Sequence, residues 1–137
     1  MGGQIYHITA TTEGRRPWFQ DFDCARIVVA ELRRLHEQKL VDSLAWVLMP
    51  DHLHWLIQLR GPFGLSTVIK VLKGRSSRQL GLRMDTGGSV WQSGFHDHAL
   101  RREEDLLKVA RYLVANPLRA GLVERIGDYP FWDAHWL

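Results

Sequence analysis

Apolar and polar residues alternate singly from Ile5 to Thr11, with Ile5, His7 and Thr9 on one side and Tyr6, Ile8 and Ala10 on the other, the period of a half-buried strand. The stretch Thr11 to Pro17, rich in Gly, Arg and Pro, reads as a turn or loop. Asp21 or Asp23 can cap a helix to about Lys39, with Ile27, Val28, Ala30, Leu32 and Leu35 as its apolar face and Arg26, Arg33, Arg34 and Glu37 as its wet one. Leu44 to Met49 is unbroken apolar, which fits a central strand. Pro50 and Asp51 can then turn the chain into a second, antiparallel strand ending near Leu59. Arg60 to Gly64 predicts a loop, Ser66 a cap for a helix to about Leu82, and Met84 to Ser89 a mobile loop. Trp91 to Arg101 reads as a further strand. The last helix is predicted from about Glu103 to Asn116, with Asp105 and the glutamates favourable to its dipole. Strand, helix, strand, strand, helix, strand, helix is the order of a ferredoxin-like α+β fold: an antiparallel sheet with helices packed on it and an added C-terminal helix.

The strand after Asp51 carries the most distinctive chemistry. In an extended segment His52 and His54 share a face, opposite Leu53, Trp55, Ile57 and Leu59. Two imidazoles thus converge on one point, backed by a strand tied to the core, an arrangement suited to a divalent metal; the alternative is two histidines on a half-buried strand. In the last helix Leu106, Val109, Ala110 and Leu113 form the apolar stripe, while Lys108, Tyr112 and Asn116 follow at four-residue spacing on an adjacent face. If that helix lies over the histidine face, the phenol and the amide reach the metal locality; otherwise Tyr112 is a tyrosine at the rim of the core. Pro117 biases Asn116 away from helical geometry. His96 and His98 form a second His-x-His, read as structural.

Composition adds less. With 137 residues, 45% hydrophobic content and six tryptophans, the chain fits one domain with a sizeable core. Eighteen Lys and Arg against 15 Asp and Glu give +3, a mild basic bias compatible with a polyanion. Lys70, Lys73, Arg75 and Arg78 on the second helix, with Arg15 and Arg16 in the first loop, are the candidates for gripping a phosphate backbone; the alternative is a solvated surface. Lys108 is a further phosphate candidate. Trp18, Trp132 and Trp136 can stack on bases or pack internally. The single cysteine, Cys24, excludes an internal disulfide framework and reads as a packed thiol in a reducing cytosol. No apolar stretch is long enough for a membrane span, and the N-terminus lacks an export-signal layout.

Four blocks in order carry a resemblance: Met-Pro-Asp-His-Leu-His-Trp-Leu at 49–56, Leu-Lys-Gly-Arg at 72–75, Trp-Gln-Ser-Gly-Phe-His-Asp-His at 91–98, and Arg-Tyr-Leu-Val-Ala-Asn-Pro-Leu-Arg-Ala-Gly-Leu-Val at 111–123. They resemble the REP-associated tyrosine transposases, a branch of the insertion-sequence-200-like single-tyrosine transposases within the HUH endonuclease superfamily. The likeness runs from Tyr6-His7-Ile8-Thr9 to Asp128-Tyr129-Pro130. It implies a ferredoxin-like core, a metal site of His52 and His54 completed by Asn116, and Tyr112 as a nucleophile that cleaves and rejoins single-stranded DNA through a 5′-phosphotyrosine. It implies Mg2+ or Mn2+, although ligand softness alone suits zinc, manganese or nickel better. The implied partner is a hairpin of short palindromic repeats, and the implied state is a monomer, with a dimer as the alternative. The expected location is the cytoplasm, at the nucleoid. A domesticated hairpin-binding module without catalysis is the rival reading, and a phosphodiesterase using water as nucleophile is another.

Overall fold

A computed structural model describes residues 4–84, 89–101 and 103–134. Five strands form one sheet: β1 (Ile5–Thr11), β2 (Val41–Met49), β3 (His52–Leu59), β4 (His96–Leu100) and β5 (Trp132–Ala134). Their order is β4-β1-β3-β2-β5, and every pairing is antiparallel. With α1 (Phe22–Glu37) after β1 and α2 (Leu65–Met84) after β3, the first six elements have the predicted ferredoxin-like order. β5 is an addition on the outer edge of β2, held by Leu48 N donating to Phe131 O at 2.9 Å and Tyr129 Oη donating to Leu48 O at 2.5 Å.

The period of two along each strand sorts side chains between the faces. On one, Ile8, Ala10, Leu48, Leu53, Trp55 and Ile57 are sealed beneath α1 and α2. On the other, Ala45, Val47, Met49, Leu56 and Leu100 meet Leu106, Ala110, Leu113 and Val114 of α3 (Glu103–Val114). Each fully buried aliphatic side chain contributes roughly 1.5–3 kcal/mol.

The helix α1 starts where Asp21 Oδ1 accepts from Cys24 N at 3.1 Å, the expected N-cap. Cys24 is buried, a packed thiol as expected, and burial pushes its pKa up. Ala30, expected on the apolar face, is exposed; Glu31 takes the buried position instead. Its Oε1 accepts from Arg34 Nη1 at 2.7 Å and Gln79 Nε2 at 2.8 Å, so the carboxylate clips α1 to α2.

Three boundaries differ from expectation. The helix α2 begins at Leu65, with Val68 N donating to Gly64 O, so Ser66 lies in its first turn. β4 covers only His96–Leu100, because the chain before it follows another course. Trp91 is buried and donates from Nε1 to Ser76 Oγ at 2.9 Å, Gly94 has φ +77°, and Lys73 Nζ occupies the carbonyls of Gln92 and Gly94. The final helix stops at Val114 and a separate turn, α4 (Asn116–Arg119), follows Ala115, with Pro117 in its first residues. A proline cannot supply the N–H that a continuous helix needs there. Trp136 and most of the predicted loop after Met84, residues 85–88, lie outside the described residues.

Candidate metal and nucleophile site

His52 and His54 lie at the start of the central strand β3, on the face that α3 covers farther along: their neighbours across β2 are Met49 and Val47, both in contact with the α3 cluster. The two rings have centroids 4.9 Å apart and stand at 87°. His52 Nδ1 lies 2.7 Å from Asp51 Oδ1. An ionised carboxylate only accepts, so Nδ1 carries a proton, and in the neutral ring Nε2 keeps its lone pair. His54 Nδ1 is likewise engaged, 3.1 Å from His7 Nε2 and 3.2 Å from Thr9 Oγ1 on β1. Neither Nε2 has a hydrogen-bond partner among the described residues, and ligating histidines are commonly fixed in this way through the other nitrogen.

The electrostatics favour the same state. Burial, aided by repulsion from His52, His7 and Arg119, lowers the His54 pKa to about 3, so the ring is the neutral base that a cation requires. Burial and His98 lower His7 as well. For Asp51 burial acts upward, but hydrogen bonds and charge from His52 and Arg15 hold the carboxyl below the usual carboxylate value. Arg15 Nε donates to Asp51 Oδ2 at 3.0 Å, and Thr12 ties the same turn by N–H donation to Asp51 O at 2.9 Å. The loop after β1 therefore braces the residue that braces His52.

The donor set fits a divalent cation with open positions: two imidazole Nε2 atoms, with no set of three or more His, Cys, Asp and Glu side chains placed to hold a metal among the described residues. Further ligands must come from an amide, water or substrate oxygens. Asn116, the residue expected to add an amide, is half-buried at the start of α4, just past the break in the helix. Its side chain makes no hydrogen bond to His52 or His54 among the described residues. Tyr112 is 60% exposed on α3. It makes no hydrogen bond to the histidines either; its ring lies beneath Arg119, whose Cζ is 3.7 Å from the ring centroid.

The polar band is wider than the sequence motif. His7 stands opposite His98, and Thr9 lies between His54 and His96, so β1 and β4 extend the histidine face to the sheet edge. His96 and His98 are exposed there. A cleft of about 290 Å3 runs past Thr9, Thr11, Ser93 and His96 on this side. Beyond it, His98, Arg101, Asp105 and the exposed Lys108 line a groove of about 590 Å3 between β4 and α3.

The other predicted DNA contacts divide into two groups. Lys70 and Arg78 are exposed on α2, Lys70 beside a groove of about 570 Å3 that also reaches Trp91 and Phe95. Arg16 stacks its guanidinium 5.1 Å from the Trp18 ring. Arg15, Lys73 and Arg75 are engaged internally: Arg15 on Asp51, Lys73 on loop carbonyls, and Arg75 Nη1 at 3.8 Å from Glu31 Oε2. Trp132 donates to Ile126 O at 3.1 Å and packs as part of β5.

His7, Asp51 and Arg119 were not singled out by the sequence. His7 had a signal, the alternation of β1 that places it on one side with Thr9. Asp51 is hidden by its role in the turn, and Arg119 by a separation of seven residues from Tyr112.

Comparison with known proteins gives one coherent result. Residues 2–116 match the family model described as Transposase IS200 like. A REP-associated tyrosine transposase of Escherichia coli K12 is 30% identical over 92 residues, covering 66% of this chain and 53% of the relative, so the match spans about half of that protein. A Haemophilus influenzae protein provisionally named as another is 26% identical over 148 residues, covering 97% of this chain and 81% of its own. Among solved structures, a REP-associated tyrosine transposase bound to a REP hairpin superposes with a TM-score of 0.81 at 22% identity, over 96% of this chain and 77% of the other. A Deinococcus radiodurans protein provisionally described as a transposase gives 0.59 at 23% identity, over 79% and 86%.

Proposed function

Since the chain belongs to the IS200-like transposase family, we propose that it cleaves and rejoins single-stranded DNA at hairpins of short palindromic repeats, with Tyr112 as nucleophile and His52 and His54 as ligands of Mg2+ or Mn2+. The observation that carries the reading is the pair of imidazoles whose Nδ1 atoms are both engaged from behind, on the sheet face covered by the tyrosine helix. Asn116 is the proposed third ligand, through its amide oxygen. A bound divalent ion would draw charge from the non-bridging phosphate oxygens, reducing their repulsion of an incoming nucleophile.

The residues divide the remaining work. Asp51, His7 and Thr9 hold the imidazoles in orientation, and burial keeps His54 unprotonated. The Tyr112 oxygen loses its proton to solvent and bonds to phosphorus. The 3′-oxygen departs with the electron pair of the broken P–O bond and takes a proton from water. The 5′-phosphotyrosine retains a phosphodiester's energy, so attack by a DNA 3′-hydroxyl reverses the chemistry and joins strands. The exposed Lys70, Arg78 and Lys108 contribute backbone contacts. We favour a monomer, in which Tyr112 serves the histidines of its own chain.

The test is incubation of the protein with end-labelled hairpin DNA from repeats flanking its own gene, with Mn2+ or Mg2+, followed by denaturing electrophoresis. The expected result is a protein–DNA adduct absent in both Tyr112→Phe and His52→Ala. The observation on the side of the second reading, a hairpin-binding module, is that Tyr112 makes no hydrogen bond to His52 or His54 among the described residues. Specific binding with neither adduct nor cleavage would establish that reading instead, and cleavage surviving Tyr112→Phe would point to water as nucleophile.

A further inference from the structure

Several arginines among the described residues are committed to carboxylates: Arg15 to Asp51, Arg75 to Glu31, Arg83 to Asp23, Arg60 to Asp42 and Arg125 to Asp128. Arg119 is different. Among the described residues it has no carboxylate partner, and both of its side-chain contacts are to Tyr112: Cζ lies 3.7 Å from the ring centroid and Nη2 donates to the Tyr112 carbonyl at 2.8 Å. That carbonyl lies in the last turn of α3, where helix acceptors lose their intrahelical donors. The guanidinium thus caps the helix and covers the phenol ring together.

Its own backbone is well held. Pro117 is buried, Ala120 N donates to Asn116 O at 2.9 Å, and Leu122 N donates to Pro117 O at 2.9 Å across Gly121, whose φ of +72° suits glycine. A guanidinium has five N–H donors in a planar fork, and one is used here. The others have no acceptor among the described residues, and Arg119 is exposed.

We propose that Arg119 is the anion-binding group of the nucleophile: it fixes the Tyr112 ring by stacking and presents its free N–H fork to the non-bridging oxygens of the phosphate under attack. This rests on Tyr112 being the nucleophile. It gives the site two electrophilic groups of different origin, the metal on β3 and a fixed cation on the segment after α3. Stacking and bidentate phosphate binding together require arginine, since lysine offers a point charge without a plane.

The experiment is single-turnover adduct formation with Arg119→Ala and Arg119→Lys, on a hairpin carrying either the normal scissile phosphate or a neutral methylphosphonate. Arg119→Ala is expected to slow the normal substrate by about 100-fold, as for loss of one preorganised donor to a developing charge. Mn2+ binding should be retained, and melting temperature should fall only by the few degrees that loss of one helix-end hydrogen bond costs. Arg119→Lys should recover only part of the rate, and added guanidinium ion should partly rescue the Ala variant alone. On the methylphosphonate the gap between wild type and Arg119→Ala should shrink. Wild-type rates in Arg119→Ala, or an equal loss on both linkages, would overturn the proposal. If the wild type forms no adduct, the nucleophile reading itself fails. Nuclear magnetic resonance of ring-13C-tyrosine protein then decides the Arg119 contact. A Tyr112 signal that moves in Arg119→Ala, and in the wild type on adding hairpin, supports the anion-binding arrangement; one that moves in neither overturns it.

Discussion

Two His-x-His pairs occupy the same face of one sheet, and they differ in almost everything but spelling. His52 and His54 lie on β3, between β1 and β2, with their inner nitrogens held by Asp51, His7 and Thr9. His96 and His98 lie on β4, at the edge of the sheet, and both are exposed. A central strand supplies neighbours on both sides, and those neighbours remove rotational freedom and choose the tautomer. An edge strand supplies neighbours on one side only. The lesson is that a His-x-His motif becomes an ordered pair through the strands beside it, here chiefly through β1, which was read from sequence only as a half-buried strand.

The contrast can be broken by substitution. The largest effect is expected at the helix that faces the pair: Tyr112→Phe should remove the covalent DNA adduct completely while leaving hairpin affinity intact, as read by gel shift and denaturing gel in parallel. Next, His54→Ala should abolish measurable Mn2+ binding in calorimetric titration, whereas His98→Ala should retain it; equal losses would mean that the edge pair shares the ion. Removing the support instead of the ligand is expected to act less strongly, with Asp51→Asn weakening Mn2+ binding about 10- to 100-fold. An Asp51→Asn protein with unchanged affinity would show that the carboxylate serves only the turn.

The smallest effect concerns protons. His54 has a folded pKa of about 3 against an ordinary value near 6.5, so in metal-free protein the unfolded chain takes up a proton first as pH falls. Stability carried by neutral His54 is complete above about pH 6.5 and is lost progressively toward pH 3. Melting temperature of the metal-free protein should therefore decline through that window, and less steeply in His54→Gln. His7, also lowered by burial, adds to the decline in both proteins.

The parts of this arrangement that were legible in the sequence are those written as periodicity. Alternation placed β1 and the common face of His52 and His54, an unbroken apolar run and the Pro50-Asp51 turn placed the β2–β3 hairpin, and the stripe of Leu106, Ala110 and Leu113 placed α3 against the sheet. What escaped depended on contacts between segments. The basic row of α2 looks uniform in sequence, but Lys73 and Arg75 are drawn inward by carbonyls and by Glu31, whereas Lys70 and Arg78 remain outside. Glu31 itself was invisible as a core residue because a buried carboxylate is acceptable only with partners, and Gln79 lies 48 positions away. The break at Ala115 was signalled by Pro117, but the return of Arg119 over Tyr112 was not, since stacking of that kind has no period.

The order of elements has a consequence for how the chain is made. Everything that builds the histidine pair and its supports lies between Ile5 and Leu100, whereas Tyr112, Arg119 and the strand β5 come afterwards. Domains form as units during synthesis, beginning with the N-terminal part. The histidine-bearing strands therefore leave the ribosome ahead of the helix that covers their face, and a nascent chain presents the proposed cation site before the proposed nucleophile emerges.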